Sequence, residues 1–207
     1  MESTDKIYFY PLWLRIWHGF NAVGIIVLII TGLLMNSAGK SNLIGFNLTV
    51  NIHNIAGILV SLAYIGYVVG NLATSNGRYY LINMKGFFKR PAKQAYYYFW
   101  GMFHGMEAPF PITEKRKFNP LQKYMYVLIM YVVVPLVIVS GIALLFPEII
   151  IEKIYHYSGI SITAIVHAAM GFFISIFLIV HIYFATIGKS PMDNFKSMIS
   201  GWHHVSH

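Results

Sequence analysis

Four stretches of this 207-residue chain stay apolar for about twenty residues or longer, the length a helix needs to cross the hydrocarbon core of a bilayer. They run over about 12–35, 50–72, 121–146 and 160–187. The third contains Pro135, which is expected to kink its helix and leave a carbonyl for a neighbour or a water to satisfy. Only 11% of the residues are charged, against about 25% in soluble domains, and mean hydropathy is +0.60. The first run is too long for a signal peptide and has no small-residue cleavage site after it, so it is expected to be retained as a span. The fold class expected is an all-α membrane protein of four transmembrane helices.

The basic residues orient those spans. An even number of spans puts both ends of the chain on one side, with the loop between the second and third spans. That side carries Lys6, Arg15, Lys189 and Lys196, together with Arg78, Lys85, Lys89, Arg90, Lys93, Lys115, Arg116, Lys117 and Lys123. The other side carries only Lys40 and Lys153. Thirteen against two is a strong positive-inside bias, so both termini and the long loop are expected to be cytoplasmic. The net charge of +8 is thereby explained as topology, and nothing points to nucleic acid.

Ionisable groups at membrane depth are costly and usually functional. His18 lies early in the first run, His53 early in the second, and His167 and His181 fourteen residues apart in the fourth. Fourteen residues return to within about 40° of the same helix face and rise roughly 21 Å. With the orientation above, His18 and His181 share the cytoplasmic depth and His53 and His167 the outer depth. That sorting suggests two stacked bis-histidine heme sites. A single histidine in a span is commonly just hydrogen-bonded to the next helix, but four that pair by depth argue for ligation.

Cysteine is absent, which excludes disulfides, cysteine-ligated iron–sulfur clusters and thiol catalysis. Gly19, Gly24, Gly57 and Gly171 lie close to the histidines, where a flat macrocycle wants small neighbours, although glycine is frequent in membrane helices generally. Arg15 is three residues before His18, placed either to meet a heme propionate or to anchor the interface beside Trp13 and Trp17. His203, His204 and His207 read as a solvated tail, and His104 and His156 as loop residues. The loop over about 75–118 exceeds the usual connection length. Residues 79–90 read as an interfacial helix and Tyr96–Trp100 as a headgroup-level aromatic block. Such a loop would either wall a quinone pocket or pack on the membrane surface.

The chain resembles the di-heme cytochrome b subunits of respiratory oxidoreductases, the group of formate dehydrogenase gamma, nickel–iron hydrogenase and thiosulfate reductase cytochrome b. The resemblance rests on Arg15-Ile16-Trp17-His18, on Thr31-Gly32 closing the first span, and on His53-x-x-x-Gly57. Lys117-Phe118-Asn119-Pro120-Leu121-Gln122-Lys123, Ser140-Gly141 and the His167/His181 pair complete it. It implies one cytochrome b membrane domain over residues 1–207: a four-helix bundle enclosing two b-type hemes, His18 and His181 holding one and His53 and His167 the other. It also implies a menaquinone or ubiquinone pocket that makes Asn119, Gln122 and Lys123 candidate quinone contacts. Independently of it, Asn119 and Pro120 read as a helix cap and first helical residue. The insert over 93–117, with His104 and Glu107, departs from the family pattern.

The function expected is therefore a di-heme subunit of the bacterial inner membrane, passing electrons between an outer-side partner and the quinone pool. That partner would be an iron–sulfur protein or a multiheme cytochrome c, docked near 36–49 and 146–159. The alternative is a self-sufficient cytochrome b561-like oxidase, such as a quinone-coupled superoxide oxidase. A transporter whose histidines converge on one midplane metal or proton site is the reading from another class.

Overall fold

A computed structural model describes residues 5–37, 45–187 and 190–205. Among them four helices are long and apolar enough to cross a membrane. They are α1 (Leu12–Asn36), α2 (Phe46–Ala73), the continuous pair α4 (Pro120–Leu128) and α5 (Val134–Leu145), and α6 (Gly159–Ala185). The second begins four residues before its apolar run, because Asn47 and Thr49 are polar and yet helical. Hydroxyls inside the spans fold back on their own helix. Thr31 donates to the carbonyl of Val27, Ser61 to Gly57, Ser140 to Leu136 and Ser175 to Gly171, at 2.7–2.9 Å.

Between α4 and α5 lies a π-helical turn, Ile129–Val133. Pro135 has no N–H to give to the carbonyl of Tyr131, and its ring crowds that oxygen. Widening the turn just before it accommodates the ring without breaking the span.

The chain forms two compact units. One comprises Leu12–Val69 and Val133–Tyr183, hence nearly all of α1, α2, α5 and α6. Here α1 and α2 approach closely. A methyl group placed on Gly24 would come within 2.5 Å of Val60 Cγ2, so only glycine fits there. Trp17 Nε1 donates to the carbonyl of Ala63 at 2.9 Å, and its ring stacks on Tyr67 with centroids 4.3 Å apart. Apolar side chains such as Ile16, Val23, Ile30 and Leu33 are exposed on the outside of α1. A hydrocarbon surrounding favours that face, whereas water would penalise it.

The other unit comprises Met1–Pro11, Gly70–Val132 and Phe184–His207. It contains α3 (Lys89–Phe99), α7 (Asp193–Ser200) and the antiparallel strands β1 (Asp5–Tyr8) and β4 (Trp202–Val205). The segment expected as a solvated tail is therefore tied to the N-terminal strand, with His203 Nδ1 3.2 Å from Ser197 Oγ; His207 lies outside the described residues. The interfacial helix expected over 79–90 is also displaced. Ser75–Tyr80 is a 3-10 turn capped by Thr74, and the α-helix starts only at Lys89. Pro91 explains the start, since a first helical turn needs no N–H from it. Tyr96–Phe99 consequently ends α3 rather than following it.

Lys117 is buried in this unit. Its Nζ donates to the carbonyl of Phe9 at 2.9 Å and to Asn76 Oδ1 at 3.0 Å, and it lies 4.4 Å from the centre of the Tyr10 ring. Asn76 in turn donates to Asn71. Burial pulls the Lys117 ammonium down to about 7, and burial, with Tyr80 nearby, pushes the Tyr10 phenol up to about 12.

Candidate functional site

The structure brings together His18 with His181 and His53 with His167. The ring centroids are 6.1 Å apart in the first pair and 6.2 Å in the second. Each pair joins a histidine of α6 to one from α1 or α2, so three helices position the four side chains. Within α6 the stripe His167, Gly171, Ile174, Leu178 and His181 follows one helix face, at spacings of three and four.

That separation can be compared with a two-imidazole metal site. With a metal–nitrogen bond of about 2.0 Å and roughly 1.15 Å from ring centre to ring nitrogen, two axial imidazoles have centroids about 6.3 Å apart. Both pairs match this within about 0.2 Å, too far for contact and right for one ion between them. Among the described residues there is no group of three or more His, Cys, Asp or Glu that would complete a protein-only metal cage. Two imidazoles without further protein donors would suit a metal whose other ligands come from a macrocycle.

The second nitrogen of each ring decides which nitrogen remains available. His167 Nδ1 lies 3.1 Å from the carbonyl of Val137 and 3.1 Å from Ser140 Oγ. A carbonyl oxygen only accepts, so Nδ1 carries the hydrogen and Nε2 keeps its lone pair. Thr31 Oγ1 lies 2.8 Å from His53 Nδ1 while directing its own hydrogen to the carbonyl of Val27, which gives His53 the same tautomer. Both imidazoles of this pair thus have Nδ1 anchored and Nε2 left with its lone pair, the tautomer a metal-binding histidine needs.

Glycine makes room beside each anchored ring. A methyl group on Gly141 would lie 3.0 Å from His167 Cε1, closer than ordinary packing allows; one on Gly32 would lie 3.7 Å from His53 Cε1. At Gly19 and Gly171, beside His18 and His167, an added methyl group would meet no protein atom within 4 Å. The dipeptides Thr31-Gly32 and Ser140-Gly141 thus share one construction, a hydroxyl for the imidazole Nδ1 and a glycine to admit its ring. The dipeptides were visible in the sequence; the anchoring role was not. In the other pair Phe177 stacks on His181 with centroids 5.5 Å apart.

The candidate quinone residues lie in the other unit. Asn119 and Gln122 form a reciprocal capping box at the start of α4: Gln122 N donates to Asn119 Oδ1 at 2.9 Å, and Asn119 N to Gln122 Oε1 at 3.2 Å. Asn119 Nδ2 also donates to the hydroxyl of Tyr98 at 2.8 Å. Burial raises the Tyr98 phenol above its ordinary value, and the hydrogen bonds from Asn119 and Gln94 oppose it. Lys123 Nζ donates to the carbonyl of Leu81 at 3.2 Å. Arg15 is half-buried on α1, one turn before His18. His104 stacks on Trp100 with centroids 4.0 Å apart, and His156 occupies the turn between β2 (Lys153–Ile154) and β3 (Tyr157–Ser158).

Residues 9–201 match the family described as prokaryotic cytochrome b561. The chain is also similar to "Putative cytochrome YdhU" of Escherichia coli (strain K12), with 34% identity over 203 residues, covering 98% of this chain and 76% of that relative.

Proposed function

This chain belongs to the prokaryotic cytochrome b561 family, and from that premise we propose that it is a two-heme subunit connecting an outer-side redox partner with the membrane quinone pool. Membership of the family makes it a multi-pass membrane protein of electron transport with b-type heme. One observation carries the two-heme reading. Two histidine pairs, each with a 6.1–6.2 Å centroid separation, sit fourteen residues apart along α6.

Under this proposal His18 and His181 hold the cytoplasmic-side heme and His53 and His167 the outer-side heme. When bound, heme supplies reversible one-electron iron chemistry. The chain supplies the rest: Nε2 lone pairs at a fixed spacing, Nδ1 anchors on Thr31, Val137 and Ser140, and apolar walls that exclude water. Arg15, on the same helix face as His18, is assigned to a propionate. The inner-membrane location and cytoplasmic termini rest on the distribution of Lys and Arg.

Quinone exchange is assigned to Asn119, Gln122 and Lys123, with Tyr98 beside them. Support comes from chemistry: an amide, a protonated phenol and an ammonium together offer donors for a quinone carbonyl. The partner is assigned to the hairpins 36–49 and 146–159, of which residues 38–44 lie outside those described. In the second hairpin Ile149, Ile151, Tyr155 and Tyr157 are exposed, as suits a partner-covered surface.

The test uses the purified protein in lipid. Added quinol reduces the b-type absorbance, and the protein copurifies with a stoichiometric redox subunit. An isolated chain that oxidises or reduces a small molecule at full rate without any partner would support the self-sufficient enzyme instead.

A further inference from the structure

The segment between α2 and α4 carries eight Lys and Arg but only two carboxylates, Glu107 and Glu114. Three of those cations, Lys89, Arg90 and Lys93, fall in the first five residues of α3, which contains no acidic residue. Lys89 and Lys93 are four residues apart, a like-charge spacing that destabilises a helix unless something neutralises it. The guanidinium carbons of Arg90 and Arg116 lie 5.6 and 5.7 Å from the centre of the Phe110 ring. Arg116 is further held by a hydrogen bond from Nη1 to the carbonyl of Pro111 at 3.4 Å. The Lys123 ammonium lies within electrostatic reach of both guanidiniums. Among the described residues no carboxylate pairs with Lys89, Arg90, Lys93, Arg116 or Lys123. Two half-buried guanidiniums are thus positioned on one aromatic ring in a field of uncompensated positive charge.

The same segment carries large apolar side chains that stand largely exposed. Phe88 is 81% exposed and Phe99 84%, with Trp100 and Phe103 also exposed. The segment is tied at both ends to spans, at Ala73 and at Pro120, so it stays close to the bilayer. Soluble anions have no use for exposed phenylalanines, and a neutral surface has no use for the cations. Their combination matches one chemistry, a phosphodiester headgroup with acyl chains attached.

We propose that this surface seats an anionic phospholipid, with Arg90 and Arg116 holding the headgroup phosphate and Phe88, Phe99 and Trp100 resting in the interface. Lys89, Lys93 and Lys123 supply the attracting field.

The experiment melts the purified, heme-loaded protein in detergent supplemented with phosphatidylglycerol, phosphatidylcholine or soluble glycerol 3-phosphate. The wild type should melt roughly 3 °C higher with phosphatidylglycerol than with phosphatidylcholine. The R90Q/R116Q variant should lose most of that difference while melting like wild type in phosphatidylcholine. In the wild type alone, the difference should shrink at about 0.5 M salt, which keeps the test decisive if the variant fails to fold. Equal melting in the two lipids, a preference indifferent to salt, or a full preference in the variant overturns the proposal. So does equal stabilisation by glycerol 3-phosphate, which would indicate a site for free phosphoesters.

Discussion

His167 donates its Nδ1 hydrogen to the carbonyl of Val137, 3.1 Å away on α5, and thereby keeps Nε2 free to ligate. The bond ties an imidazole of α6 to a backbone atom that no side-chain substitution removes. His53 is anchored in the same way, by the hydroxyl of Thr31 at 2.8 Å and by a hydrogen bond to the backbone of Leu28. Thr31→Val removes the hydroxyl from its ring, and heme affinity at that pair should fall by roughly tenfold. Ser140 makes the longer contact with its imidazole, 3.1 Å, so Ser140→Ala should cost less. Heme titration into the apo protein ranks the two; a larger loss from Ser140→Ala would contradict the assignment.

Gly141→Ala should act at the same pair through space. Its new methyl group would stand 3.0 Å from His167 Cε1, so the ring must give by a few tenths of an ångström against its anchor. Heme binding there is expected to weaken by roughly tenfold. Gly66→Ala is the control, since a methyl group there meets nothing within 4 Å. It should keep full heme content and gain about 0.5–1 kcal/mol of helix stability.

Lys117 makes stability depend on pH with a definite sign. Its folded value, about 7, lies below the ordinary 10.5 because burial disfavours the ammonium. Between those two values the unfolded chain binds a proton that the folded protein does not, so stability rises as pH rises, by up to about 1.4 kcal/mol per pH unit. Below about 7 both states are protonated and this dependence ends. Melting from pH 7 to 10 should show the rise in wild type, and Lys117→Met should flatten it. An equal slope in both proteins would contradict the assignment.

Asn119 has a capping role and a proposed quinone role, and two substitutions separate them. Asn119→Asp keeps an oxygen for Gln122 N but loses the donor to Tyr98; Asn119→Ala loses both. The alanine variant should lose about 1 kcal/mol of stability, with little change for aspartate. If the amide meets quinone, both variants should raise the quinol KM. A normal KM in Asn119→Asp would leave Asn119 as a cap alone.

Much of this arrangement was legible because membranes impose strong periodicities. Span length revealed the four helices, and the depth of each histidine sorted them into the pairs that the structure brings together. Asn119-Pro120-x-Gln122 announced its helix start through cap chemistry alone. The Nδ1 anchors were not legible, since they depend on how α1 and α5 are rotated about their axes, and hydropathy does not encode that. The β1–β4 pairing was hidden as well: four-residue strands almost 200 positions apart carry no pattern linking them. In the long loop the mixed apolar and basic residues read as a helix over 79–90, ahead of the real one. Pro91, which suits a first helical turn, marks the start at Lys89.

The central claim is that the four span histidines form two independent heme sites. Its most direct measurement is heme b per polypeptide in the detergent-purified wild type, His53→Ala and His181→Ala proteins. Two hemes in the wild type and about one in each variant is the result expected. A wild type that binds a single heme or none, from cells able to supply it, would contradict the account.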